Sequence, residues 1–213
     1  MTHVPAAAPG PQGRFPGFAV LRQAPRWDGV TALAIRSRVA PPATPRFFTA
    51  AEQATARALV GQLLDQPHDG LGVPVMEMID ARLAGGQTDG WRYEDMPEDG
   101  QAWRDTLANL DTDAKERFGA GFAACARREQ AAIVQAVQDL GSRDWHGLLA
   151  GQVWSLWTRY ACTALYAHPA AWDEIGFPGP AYPRGYKNIG VDAREPFEVR
   201  DTRPAQDPVR ERL

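Results

Sequence analysis

WHGLLAGQVWSLWTRYACTALYA, residues 145–167, is the stretch that decides the fold. At about 100° per residue, Trp145, Leu149, Val153, Leu156 and Tyr160 fall on one face of a helix, and Trp154, Ala161 and Leu165 fall nearly opposite. Ser142 stands where an N-cap is wanted, so the spacing predicts one long helix from there to Ala167. A helix apolar on both sides is either central to a bundle or covered by another chain. No segment alternates apolar and polar residues with β-branched side chains over a strand's length. The pattern therefore predicts an all-α protein, a bundle of about five helices.

Four shorter helical segments lie upstream. Thr49 and Glu52 form a capping box, and Leu59, Leu63 and Leu64 carry a helix to Asp65, where Gln66-Pro-His-Asp-Gly70 ends it. Pro74 suits the first turn of a second helix, in which Val75, Ile79 and Leu83 recur at every fourth residue until Gly85-Gly86. A polar loop from Gln87 to Gly100 carries Trp91 and Tyr93. Trp103, Leu107, Leu110, Ala114 and Phe118 then form one apolar stripe, with a break or bend expected at Asp111-Thr-Asp113. The fourth helix runs from about Arg127 to Leu140, with Ile133, Val134 and Val137 on one side and Gly141 at its C-terminal cap.

The ends read differently. Residues 1–46 are punctuated by Pro9-Gly-Pro11 and Pro41-Pro42, which points to extended chain and not core. Phe15, Phe18, Val20, Leu21, Trp27 and Thr31-Ala-Leu-Ala-Ile35 are too apolar for a solvated tail, so an ordered arm is expected, laid on its own bundle or on a partner. After the long helix comes HPAAWDEIGFPGPAYPRGY, residues 168–186, irregular and dense in Pro, Gly and large aromatics. Val191 to Leu213 is charged and expected to be loose. The expected partition is an arm over 1–46, a helical domain over 47–186 and a tail over 187–213.

Charge excludes one class of partner. The 23 Lys and Arg are scattered among 26 Asp and Glu, for a net charge of -3, so no basic surface for nucleic acid is expected. No run reaches the roughly 18 apolar residues of a membrane span. The first ten residues have neither a basic nor an apolar export region, and Arg14, Arg22 and Arg26 stand singly, so a cytoplasmic location is expected unless an exported partner carries the chain to the periplasm. Cys125 and Cys162 form no CxxC pair and read as buried thiols.

No catalytic or cofactor-binding set stands out. His68, His146 and His168 lack a second metal-type ligand at helical spacing, and the group His168, Asp173 and Glu174 reads as a helix terminus. Gly70-Leu-Gly72 follows no strand and lacks the third glycine of a dinucleotide fingerprint. Catalytic, metal and cofactor residues are accordingly expected to be absent from this chain. A free-standing enzyme using His146 or His168 with loop carboxylates as metal ligands, and a homo-oligomeric scaffold, remain as alternatives.

In wording and order the chain resembles the gluconate 2-dehydrogenase subunit 3 family over about residues 46–186. The resemblance is carried by Phe47-Phe-Thr-Ala-Ala-Glu52, Gly70-Leu-Gly-Val-Pro74, Met78-Ile-Asp80, Lys115-Glu-Arg-Phe-Gly119 and the segment 168–186. It implies an accessory small subunit that stabilises or matures a large FAD-dependent dehydrogenase of the glucose-methanol-choline class, acting on sugar or polyol CH–OH groups. FAD would sit in that large subunit, and a cytochrome subunit is the further partner the family implies. Members often carry a twin-arginine export signal, which this sequence does not show. The aromatic anchors expected to meet the partner are Trp154, Trp157, Trp172, Phe177, Tyr182 and Tyr186, with Arg184 as a polar anchor.

Overall fold

Helices succeed one another through the described residues, 15, 17–40, 42, 44–65, 72–191 and 193–199 of the computed structural model. They are α1 (Gly29–Ser37), α2 (Ala50–Leu63), α3 (Val75–Ala84), α4 (Asp99–Phe118), α5 (Arg127–Leu140), α6 (Ala150–Ala167) and α7 (Pro169–Ile175). Short 3-10 turns occupy Val20–Arg26 and Phe122–Ala124, and an antiparallel hairpin pairs β1 (Asp144–Trp145) with β2 (Leu148–Leu149). The all-α expectation is met. Contacts divide the chain into one unit over 41–165 and a second built from 1–40 with 166–213. This partition differs from the expected 1–46, 47–186 and 187–213, because the described residues 20–35 pack with 172–180. The terminator at 66–70 with its His68, Gly70 and Leu71 of the glycine motif, Pro9-Gly-Pro11, Pro41 and residues 200–213 of the tail lie outside the described residues.

The five helices that the periodicity predicts, α2 to α6, fall in the 41–165 unit but for the last two residues of α6. The α2 capping box forms as expected: the Thr49 N–H donates to Glu52 Oε2 at 2.7 Å, and the Glu52 N–H to Thr49 Oγ1 at 3.4 Å. Pro74 is the N-cap of α3 and not part of its first turn. Leu59, Ile79, Trp103, Leu107, Ile133 and Trp157 are among its fully buried side chains.

Two expectations about this unit need correction. The helix α4 runs unbroken through Asp111-Thr-Asp113, because both carboxylates bond outside their own helix. Asp111 accepts the Phe122 N–H at 2.8 Å, and Asp113 accepts the Trp145 indole N–H at 2.9 Å, so neither competes for local backbone groups. Residues 144–149 are a hairpin and not the first turns of the long helix. His146 and Gly147 both have positive φ, at 52° and 82°, as a two-residue hairpin loop requires. Leu149 is consequently 40% exposed, away from the core face assigned to it, whereas Trp145 is buried from the hairpin side. The first N–H groups of α6 go to Arg143 and Gly141 carbonyls at 3.0 and 2.7 Å, in place of a Ser142 cap.

The second unit corrects the picture of an extended arm. Asp28 caps α1 by accepting the Thr31 N–H at 2.9 Å, and Val20, Ala24, Trp27 and Ile35 bury against Trp172. The Val20 N–H donates to Asp173 at 2.6 Å, and the Trp27 indole N–H to the Pro180 carbonyl at 3.1 Å, so the segment before α1 is tied to α7 and the chain beyond it. Gly179 has φ +77°, and a Cβ there would stand 2.7 Å from the Trp27 ring, so the approach requires glycine.

Candidate functional site

Within the 41–165 unit, a cleft of about 860 Å³ opens between the loop after α3 and the start of α4. Its aromatic walls are Phe47, Trp91 and Tyr160, and its charged walls include Arg92, Glu98, Asp99 and Arg104. Asp80 builds the Phe47 side. This carboxylate, 1% exposed, accepts the N–H groups of Arg46, Phe47 and Phe48 at 2.6, 3.0 and 2.8 Å. Arg104 holds the same strand of chain by donating to the Phe47 carbonyl at 2.6 Å and to Glu52 at 3.2 Å, with its guanidinium 4.3 Å from the Phe47 ring. A Cβ on Gly100 would meet the Phe47 ring at 3.0 Å, so that wall stands against backbone.

The opposite wall is a stacked, internally paired network. The Tyr160 hydroxyl donates to buried Asp99 at 2.6 Å, and burial together with this carboxylate pushes the phenol above its ordinary range, so it remains a donor. Arg159 lies 2.8 Å from Asp89 and 3.5 Å from Asp99, and its guanidinium stacks 4.7 Å from the Trp91 ring. Arg82 also pairs with Asp89 and stacks 4.7 Å from Tyr160. The ion pairs of this wall are made within it, while Arg159 Nε and Nη1 are buried without a hydrogen-bond partner among the described residues. Among the described residues no group of three or more His, Cys, Asp or Glu is placed to hold a metal ion. No described helix is long and apolar enough to cross a membrane.

The expected anchors fall in both units. Trp154 and Trp157 lie in the 41–165 unit, and the other five lie in the unit of the chain ends. Trp157 is fully buried, donating to Thr106 Oγ1 at 3.0 Å and meeting Trp145 edge to face at 5.5 Å. Trp172 is 5% exposed and donates to the Tyr166 carbonyl. These two tryptophans are core side chains, not surface anchors. Trp154 is half-buried, while α6 buries Val153, Leu156, Tyr160, Ala161 and Leu165. Its two apolar sides are thus largely covered by the chain itself.

Phe177, Tyr182 and Tyr186 remain exposed. Arg184 is engaged within its own unit, where its guanidinium stacks 3.8 Å from the Phe197 ring and donates to Gln23 at 3.1 Å. His168 caps α7, with Nδ1 accepting the Ala170 N–H at 3.1 Å, and His146 Nε2 lies 2.7 Å from buried Asp113. Both histidines therefore have structural partners.

The family described as gluconate 2-dehydrogenase subunit 3 matches residues 50–179. The chain belongs to this family. No curated protein and no solved structure gives a further match. Several residues that carried the resemblance to subunit 3 proteins turn out to shape the cleft wall: Phe47, Glu52 and Asp80 meet there through the bonds above. Periodicity could not find this site, because its walls come from loops. One signal was present, a carboxylate at Asp80 beside Ile79 and four residues after Met76, on the buried face of an otherwise apolar stripe.

Proposed function

We propose that this chain is a non-catalytic small subunit that binds a FAD-dependent oxidoreductase of the glucose-methanol-choline class and stabilises or matures it. The family match over residues 50–179 carries the reading. The exposed Phe177, Tyr182 and Tyr186 support it, since large aromatics left in water are the usual anchors of an interface. FAD belongs to the large subunit, which oxidises a sugar or polyol CH–OH group, and a cytochrome subunit takes the electrons onward. A small subunit that binds only the folded, flavin-loaded partner draws it toward that state by mass action. The chain follows its partner's compartment, the cytoplasm where the flavoprotein is not exported and the periplasm where it is.

The test is co-expression of the flavoprotein subunit with and without this chain. With it, the flavoprotein should accumulate as a soluble yellow complex containing both polypeptides. Without it, flavin content and melting temperature should both fall. Equal yield, flavin content and stability in the two preparations, with no complex on gel filtration, would reject the accessory role.

A further inference from the structure

Exposed apolar side chains are concentrated in the unit of the chain ends, and they are most regular on α1. Val30 is 77% and Leu33 71% exposed, and Ala34 and Ser37 beside them are exposed as well. Positions 30, 33, 34 and 37 are the i, i+3, i+4, i+7 set that lies along one helix face. The other face is already used: Ile35 is 2% exposed and Ala32 packs on the cluster of Val20, Ala24, Trp27 and Trp172. Fourteen large apolar side chains are substantially exposed among the described residues, and the two on α1 are among the most exposed. The helix is fixed at both ends, by the Asp28 cap and by Arg38, which donates to the Ala167 carbonyl at 3.0 Å. A preorganised helix with large side chains at two positions and small ones at the other two presents ridge and gap together, the relief of a packing surface.

Charge says what covers it. In a chain of net charge -3, residues 17–40 carry Arg22, Arg26, Arg36 and Arg38 against Asp28, which is committed to its cap, and only Arg22 among these arginines has the Asp173 carboxylate of α7 in its neighbourhood. Arg36 stands one turn beyond Leu33, is exposed, and has no acidic partner among the described residues. We infer that the Val30–Leu33–Ala34–Ser37 face of α1 docks into an apolar groove edged by carboxylates on the flavoprotein subunit. This rests on the accessory-subunit reading and adds to it a surface outside the matched residues 50–179. A second copy of the chain is a poorer occupant, since it would set the same arginine-rich segment against itself. A lipid surface is poorer too, since a nine-residue helix offering two large apolar side chains buries little area in a bilayer.

The experiment uses the full chain, as parent, Leu33→Glu and Arg36→Glu, titrated into the FAD-loaded flavoprotein subunit at two salt concentrations. Leu33→Glu should weaken binding about tenfold or more, as loss of an interface anchor does. Arg36→Glu should weaken it at low salt and flatten its salt dependence. Both variants should melt with the parent, because both side chains face solvent in the free chain. Binding within about twofold of the parent for both variants would overturn the inference while leaving the accessory role intact. Failure of the parent itself to bind would remove the underlying reading as well. A parent dimer that Leu33→Glu dissolves, or parent flotation with phosphatidylglycerol vesicles that Leu33→Glu abolishes, would overturn the assigned occupant in favour of a second copy or a membrane.

Discussion

Replacing Asp80 by alanine should be among the most damaging single changes in the helical unit. The carboxylate is 1% exposed and receives three backbone N–H groups at 2.6 to 3.0 Å, from Arg46, Phe47 and Phe48. Hydrogen bonds to a charged acceptor contribute about 1.5–3 kcal/mol each. The full sum overstates the loss, since Phe47 and Phe48 share Oδ2 and water can reach the partly buried N–H of Arg46. A loss of about 3–5 kcal/mol is expected, which for a chain of this length lowers the melting temperature by roughly 6–20 °C. Asp80→Asn keeps one acceptor oxygen and turns an NH2 group toward donors, so it should recover only part of that loss. Phe47 is a cleft wall, and Arg104 bonds its carbonyl, so quenching of Trp91 fluorescence by added acrylamide should also rise in Asp80→Ala below its melt. Thermal denaturation followed by circular dichroism, with the fluorescence titration beside it, decides the matter. An Asp80→Ala protein that melts within about 1 kcal/mol of the parent would show that these N–H groups find water at no cost, and the reasoning would fail.

Two further outcomes separate structural from docking roles. His168 accepts the Ala170 N–H through Nδ1, and burial lowers its pKa below the ordinary value of about 6.5, so the unfolded state binds the proton more readily. Stability should be complete above about pH 6.5 and fall as the pH drops through that value toward the folded pKa; His168→Asn keeps a capping oxygen without titrating, so urea melts from pH 7 to 5 should show a parent slope that the variant lacks, and parallel curves would contradict the assignment. Trp157→Phe should cost about 2–3 kcal/mol of stability through lost volume and the lost bond to Thr106, yet bind the flavoprotein normally when folded, whereas Tyr182→Ala, at a residue 63% exposed, should leave the melt unchanged and weaken capture. The reverse pattern in melts and pull-downs would move Trp157 back to the partner surface.

Helices α2 to α5 were legible because each carries its own punctuation: Thr49 with Glu52, Gly85-Gly86, Gly119 at φ +74° and Gly141 after Leu140. The hairpin at Asp144–Leu149 was not, since strands of two residues have no period to read and His-Gly stands where Asn-Gly would have signalled the turn. The helix α1 was hidden by surrounding prolines, although Asp28 three residues before Thr31 is a cap signal. The deeper failure concerns α6. A helix apolar on two sides satisfies two geometries equally, and only neighbouring helices distinguish them; here the chain itself covers both, so Trp157 belongs to the core. The apolar surface left over is elsewhere. The helical unit leaves few large apolar groups in water, whereas the smaller unit of the chain ends exposes Val30, Leu33, Ile175, Tyr182, Tyr186 and Ile189. Trp27, Trp172 and Gly179 already pack around this unit's own small core. Burial of these side chains by a partner is the reading proposed above, and it draws the docking surface from the chain's ends and not from its longest helices.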